Sequence, residues 1–503
     1  MLDSPAGGAA VSTFVLFETM SLPKAIVMVV MLATLGAYVY FVELPQAERD
    51  AEKQTILTFE KDAVDTFTLI YPDRTIRLKQ AAPAGWDIVE PIQAKADKTT
   101  VDNMLNTLAD EEVTRRLDPD AAADLALYGL DEPLVKIQLA LNDGTKLPQL
   151  SIGKDTPVGY SAYVQKEGDP QLHLTRQAFR LGMIKEVKEL RDKTVLPFVS
   201  TDVKKITISG PEKNIVLAYT DAGWTLEQPA VYTVEAAAVL NYLSTLQGMQ
   251  SEDFIEQPLL EMSDFGLDPA QLTVSLQIGE DTTQTISIGD EKATAGTQRY
   301  VKRNDGETLY LVREGILKDL SKAANDFRDK TVASIPEEKI EKVEVKRQDG
   351  EDFTITRGAE NKWKIDTTQA GTLKAATLSQ FVADLRELRG FEIAADNPDD
   401  LSTYGLDTPA LTLIASDEDG ERLSTVLLGQ TTVDGTEKRF AMQEGGKTVF
   451  TLRDYVFSQL NKKPTDFWEQ PEEEEGNGED EATAAESADS DGEPASMFEA
   501  EVL

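Results

Sequence analysis

Three stretches of this chain set an aspartate behind a glycine in one frame: Tyr128-Gly129-Leu130-Asp131, Phe265-Gly266-Leu267-Asp268 and Tyr404-Gly405-Leu406-Asp407. Each could be a ligand loop presenting Asp131, Asp268 or Asp407. The competing reading is structural: glycine supplies a positive-φ turn, the aromatic residue and leucine plug a core, and aspartate bonds its own backbone. Prolines just behind, at Pro133, Pro269 and Pro409, favour the turn. Trp86, Trp224 and Trp363 could line sugar or aromatic sites, but each follows a turn and precedes apolar strand residues, as core anchors do.

The remaining signals are weaker. Asp417-Glu418-Asp419-Gly420 has part of a calcium loop without its spaced ligands or terminal glutamate, so it reads as a hairpin tip. Ser21-Leu22-Pro23-Lys24 fits Ser-x-x-Lys without companion motifs. Ile152-Gly153-Lys154 has no glycine five residues earlier and is no phosphate loop. His173, the one histidine, lies in a strand without a metal-spaced partner and reads as a surface or core residue. There is no cysteine, which excludes disulfides, thiolate catalysis and cysteine metal sites. No catalytic, cofactor-binding or metal-ligating residue is assigned.

The elements that carry these residues repeat. The tryptophans step by 224 − 86 = 138 and 363 − 224 = 139 positions, and Ile152-Gly153, Ile288-Gly289 and Leu428-Gly429 keep nearly the same step. Landmarks in fixed order at a common period mean an internal triplication of a domain-sized unit. In every copy a helix is expected after the tryptophan strand. Val101, Met104, Leu105 and Leu108 fall at i, i+3, i+4 and i+7, as do Val239, Tyr242, Leu243 and Leu246, and Leu378, Phe381, Val382 and Leu385. Alternating blocks predict antiparallel strands, among them 135–141, 272–278 and 411–415. Each copy closes on a short helix around Arg191-Asp192-Lys193-Thr194-Val195, Arg328-Asp329-Lys330-Thr331-Val332 and Lys463-Pro464-Thr465-Asp466-Phe467. The class is α+β, mainly antiparallel sheet.

Residues 25–42 form an uncharged run of eighteen, long enough to cross a bilayer, with Lys24 on one side and Tyr38 and Tyr40 near the other. The run reads as a signal anchor. No small-x-small site closes it, which disfavours a cleaved signal peptide, and a buried core helix is the other alternative. The expected order is a short N-terminal segment (1–24), a transmembrane helix (25–42), a linker (43–55), repeats at 56–200, 201–335 and 336–468, and a disordered acidic tail (469–503). Of the net charge of −39, fifteen acidic residues beyond Pro464 contribute −15 and the rest of the chain −24. Such a surface repels phosphates and excludes nucleic acid as a natural partner.

Tryptophan strand, amphipathic helix, Tyr-Gly-Leu-Asp-x-Pro loop, Ile-Gly strand, then Tyr-Val strand: this order resembles the bacterial domain-of-unknown-function 4340 family over about Trp86 to Trp468. Copy two departs in placing Pro269 directly after Asp268, and copy three lacks the proline seen at Pro91 and Pro229. The resemblance implies a single-pass protein of the bacterial inner membrane with extracytoplasmic (periplasmic) domains. Such proteins are often encoded beside ABC-type transporter subunits and gliding-motility-type auxiliary proteins. It carries over no catalytic residue and no cofactor. The expected function is therefore a non-catalytic, membrane-anchored binding or scaffolding protein, an auxiliary of an ABC-type transport or envelope system. A carboxylate-based hydrolase acting on carbohydrate and a purely structural spacer are the alternatives.

Overall fold

Apolar residues at every second position dictate the sheets of this protein, because successive strand side chains point to opposite faces. The computed structural model describes residues 55–469 apart from 84, 119, 121–123, 257–260, 294–296, 368–370 and 433–436, together with Met31 and Thr34. The predicted span 25–42, save those two helical residues, lies outside the described residues, as do most of the linker and the tail from residue 470. Among the described residues no helix is long and apolar enough to cross a membrane.

In copy one the strands are β1 (Val64–Ile70), β2 (Thr75–Ala81), β3 (Gly85–Glu90), β4 (Ala94–Lys95), β5 (Arg115–Arg116), β6 (Val135–Leu141), β7 (Leu150–Asp155), β8 (Ser161–Lys166) and β9 (Leu172–Arg176). They form one sheet in the order β4-β3-β2-β1-β6-β7-β8-β9-β5, with antiparallel pairs. Among the described residues copy two repeats this order with nine strands, and copy three repeats it with eight, without a counterpart of β4. The expected strands recur: Val135–Leu141 and Leu272–Ile278 bury alternate residues, such as Val135, Ile137 and Leu139, whereas Leu411–Ser416 buries every residue but Thr412.

The helix Lys98–Asp110 leaves β4 at one sheet edge and delivers the chain to β5 at the other. Asp97 caps it, accepting from the Thr100 N–H at 2.7 Å. Its buried face is Val101, Met104, Leu105 and Leu108, and the equivalent faces of Ala236–Gln247 and Ala375–Arg386 are those read from the spacing. These side chains join Phe67, Leu78 and Ile88 in the core of copy one, and Val343, Leu413 and Phe467 in that of copy three. Each fully buried leucine or phenylalanine contributes about 1.5–3 kcal/mol.

Copy three closes on the expected short helix, a 3-10 turn at Pro464–Phe467, but the ends of copies one and two differ from expectation. Two short helical turns close copy one, Gln177–Met183 and Val187–Leu190, and two more close copy two, Ile316–Leu320 and Ala324–Phe327. The stretches Arg191–Val195 and Arg328–Val332 are not helical; they are connectors whose backbone groups bond residues on either side.

The chain divides into two compact units. The first holds the residues up to Gly223 with Glu227–Pro229 and Val239–Lys322. The second holds Trp224–Leu226, Ala230–Ala238 and the residues from Ala323 onward.

Candidate functional site

The glycine loops are clasps. Gly129, Gly266 and Gly405 follow a single 3-10 turn and sit at φ 65, 64 and 63°, a region glycine enters without penalty. The leucines Leu130, Leu267 and Leu406 are buried. The aromatic residue meets the ring of the Tyr-Val strand edge-on: Tyr128 with Tyr163 at 4.8 Å, Phe265 with Tyr300 at 4.9 Å, and Tyr404 with Phe440 at 5.0 Å. The structural reading of the loop therefore holds, with one correction. Asp131, Asp268 and Asp407 are exposed, and among the described residues neither Asp131 nor Asp268 bonds the loop backbone. Asp407 takes only the Thr408 hydroxyl, at 3.4 Å. Exposure leaves these carboxylates better hydrated by water than by the loop.

The second repeated glycine completes the clasp, a role the sequence did not disclose. Gly153, Gly289 and Gly429 lie at register shifts against the following strand, between Ile152/Asp155, Ile288/Glu291 and Leu428/Thr431. There the backbone carbonyl of Tyr128, Phe265 or Tyr404 approaches so closely that a Cβ would lie within 3.0 Å of it.

Of the tryptophans, Trp86 and Trp363 are buried in their cores, whereas Trp224 is half-buried. The Trp86 indole donates to Asp102 at 3.2 Å beside a half-open cleft of about 340 Å³. Lys61, Lys98 and Asn106 line it, and they are paired with one another or with Asp102. Asp417 to Gly420 is a hairpin tip, Asp417 accepting from the Asp419 and Glu421 N–H groups at 3.1 and 2.9 Å. His173 is a buried strand residue whose Nε2 lies 2.9 Å from Asp169. Burial works against the Asp169 charge, yet hydrogen bonds from the Gln171 N–H and His173 hold its carboxyl below the ordinary range. Ser21 and Lys24 lie outside the described residues. Among the described residues no group of three or more His, Asp or Glu side chains is placed to hold a metal ion.

The connectors between copies carry a repeated polar arrangement. At the first, the Asp192 N–H bonds the Lys95 carbonyl of copy one at 2.9 Å, while the Ser251 N–H of copy two bonds the Lys193 carbonyl at 2.7 Å. At the second, the Asp329 N–H bonds Thr233 at 3.0 Å and the Gly390 N–H bonds Lys330 at 2.7 Å. An arginine opens each connector. Arg191 stacks on Phe254 at 3.9 Å and pairs with Glu256. Arg328 stacks on Tyr232 at 3.5 Å and binds Asp396 with both terminal nitrogens, at 2.6 and 2.7 Å. Thr448 and Tyr232 hydroxyls also donate to Asp396, at 2.9 and 3.2 Å.

The model of a domain of unknown function, DUF4340, matches this chain at residues 86–261, 224–389 and 363–471. The chain belongs to the DUF4340 family. No curated protein and no solved structure matches it. Each DUF4340 segment opens on one of the repeated tryptophans, and the first two enclose a whole connector.

One buried charge is peculiar to the first DUF4340 copy. Glu111 is fully buried and accepts from the Arg176 backbone N–H at 2.9 Å and from its guanidinium at 3.1 and 2.5 Å. The same backbone position, bonded by the residue after the connector threonine, is Met249 in copy two and Leu388 in copy three. Replacing a buried ion pair by an apolar side chain is often neutral or stabilising, whereas removing one partner strands the other. Glu111→Met removes the buried member and leaves only an arginine that is largely exposed to water, so the unfolding midpoint should stay nearly unchanged, within about 1 kcal/mol. Arg176→Ala should cost about 2–3 kcal/mol, tempered because the arginine is largely exposed and its N–H remains. Thermal unfolding of both variants checks this; a larger loss for Glu111→Met than for Arg176→Ala contradicts it.

Proposed function

We propose that this DUF4340 protein is a non-catalytic, membrane-anchored binding or scaffolding protein, with residues 25–42 as its single span and the repeats on the extracytoplasmic side of a bacterial inner membrane. Its place is that of an auxiliary to an ABC-type transport or envelope system, the association that the family resemblance implies. The observation that supports it most is the two-sided bonding of each connector. The residues repeated in all copies serve the clasps, cores and connectors, so copy-specific polar surfaces are left for recognition. Modules held in sequence multiply weak contacts into avidity.

Co-purification of the full-length protein in mild detergent should retain an ABC-type permease or ATPase identified by mass spectrometry. In parallel, a reporter fused after Leu503 should be active only outside the membrane. Recovery as a lone monomer in several mild detergents, or a reporter active only inside, contradicts the proposal.

A further inference from the structure

The two connectors share one plan but take the ring on their arginine from different elements, Phe254 at the first and Tyr232 at the second, and beside the first lies a cleft. At the second, Tyr232 pairs with Leu226 across its hairpin, lays its ring on Arg328 and points its hydroxyl at Asp396. At the first, the residue in that register is Ala94, paired with Ile88. Phe254 has Ile393 in its register at the second connector, whereas the polar parts are kept. Arg191 stands for Arg328, Glu256 for Asp396, and Thr308, donating to Glu256 at 2.9 Å, for Thr448. Where the phenol ring is missing there is a cleft of about 470 Å³, lined by Ala94, Lys95, Arg191, Arg303, Thr308 and Tyr310 among others. That volume falls in the range of small-ligand sites.

The chemistry of the vacancy follows from what fills its counterpart. Phe254 covers one face of the Arg191 guanidinium at 3.9 Å, and a guanidinium plane has a second face. Arg191 is buried, so a ring on it gains more than at a wet site. Glu256, bonded to the cleft-lining Arg191 and Thr308, is the counterpart of Asp396, which accepts from Tyr232. Lys95, where copy two has Thr233, adds a cation at the rim.

We propose that the first connector binds a phenol-type ring, the side chain of a tyrosine or a small free phenol, face-on to Arg191 with its hydroxyl on Glu256. The site does not depend on the scaffolding reading. Saturation-transfer NMR on the full-length protein, with N-acetyltyrosinamide and 4-hydroxyphenylacetate as probes, tests it. Both should bind, N-acetylphenylalaninamide should bind several-fold more weakly for want of the hydroxyl, and Arg191→Lys should weaken the phenols about three- to tenfold. Ala94→Tyr rebuilds the second connector at the first and should abolish binding while raising the unfolding midpoint. Tighter binding of N-acetyltyrosinamide assigns the ring to a polypeptide, and tighter binding of 4-hydroxyphenylacetate to a free phenol. No transfer to either phenol, or equal transfer in wild type and Ala94→Tyr, overturns the proposal; should Ala94→Tyr fail to fold, undiminished transfer in Arg191→Lys does the same.

Discussion

Gly429→Ala is expected to destabilise copy three by about 3–5 kcal/mol, near the top of what one methyl group can do. The new Cβ would stand within 3.0 Å of the Tyr404 carbonyl oxygen, in a loop anchored by the contact of the Tyr404 ring with Phe440 and by the buried Leu406. Neither strand nor loop can yield alone, since the strand is paired with Lys438–Gln443 and the loop is fixed by the positive φ of Gly405. Two controls separate space from backbone angle. Gly350→Ala meets no atom within 4 Å but has φ +81°, so only the left-handed penalty of about 1–2 kcal/mol applies. Gly85→Ala meets nothing and has no positive φ, so it should be neutral or slightly stabilising. Urea unfolding followed by tryptophan fluorescence, with Trp363 reporting on copy three, ranks the three. A loss for Gly429→Ala no larger than for Gly350→Ala would show that the clasp yields.

The glycines also show what a single chain reveals. The turn role of Gly129 was legible because the signal is local: aromatic, glycine, leucine, then proline. The role of Gly153 was not, because its reason is a carbonyl about twenty-five residues earlier in the sequence. The helix faces were legible because 3.6-residue spacing is a property of the helix itself. The segment Arg191–Val195 reads as a closing helix because nothing nearby in sequence signals its partners, Lys95 on one side and Gln250 on the other. The cleft was illegible for the same reason. Ala94 is unremarkable until it is set in register with Tyr232, and Arg191 until Phe254 and Glu256 fold beneath it.

Arg328→Ala should cost the second unit about 2–4 kcal/mol, the other large effect expected of a single residue here. Arg328 is 5% exposed, and its loss leaves Asp396 with two hydroxyl donors in place of a bidentate cation. Arg328→Lys should recover little, because an ammonium can neither span both carboxylate oxygens nor stack on Tyr232. The pair also sets a pH dependence. The hydrogen bonds from Arg328 hold the Asp396 carboxyl below the ordinary range against a desolvation cost, with Thr448 assisting. A carboxyl depressed in the folded state stabilises fully above its unfolded pKa, about 3.9, and loses that contribution as pH falls through the folded value. The stability difference between wild type and Asp396→Asn should accordingly be constant from neutral pH to about pH 5, then shrink in more acid solution. Parallel stability curves for the two proteins down to the acid limit would mean that Arg328 holds Asp396 by shape alone. A converging pair, together with a small rescue by lysine, makes the connector an electrostatic latch, and the same latch at Arg191 takes its ring from Phe254 in place of a tyrosine.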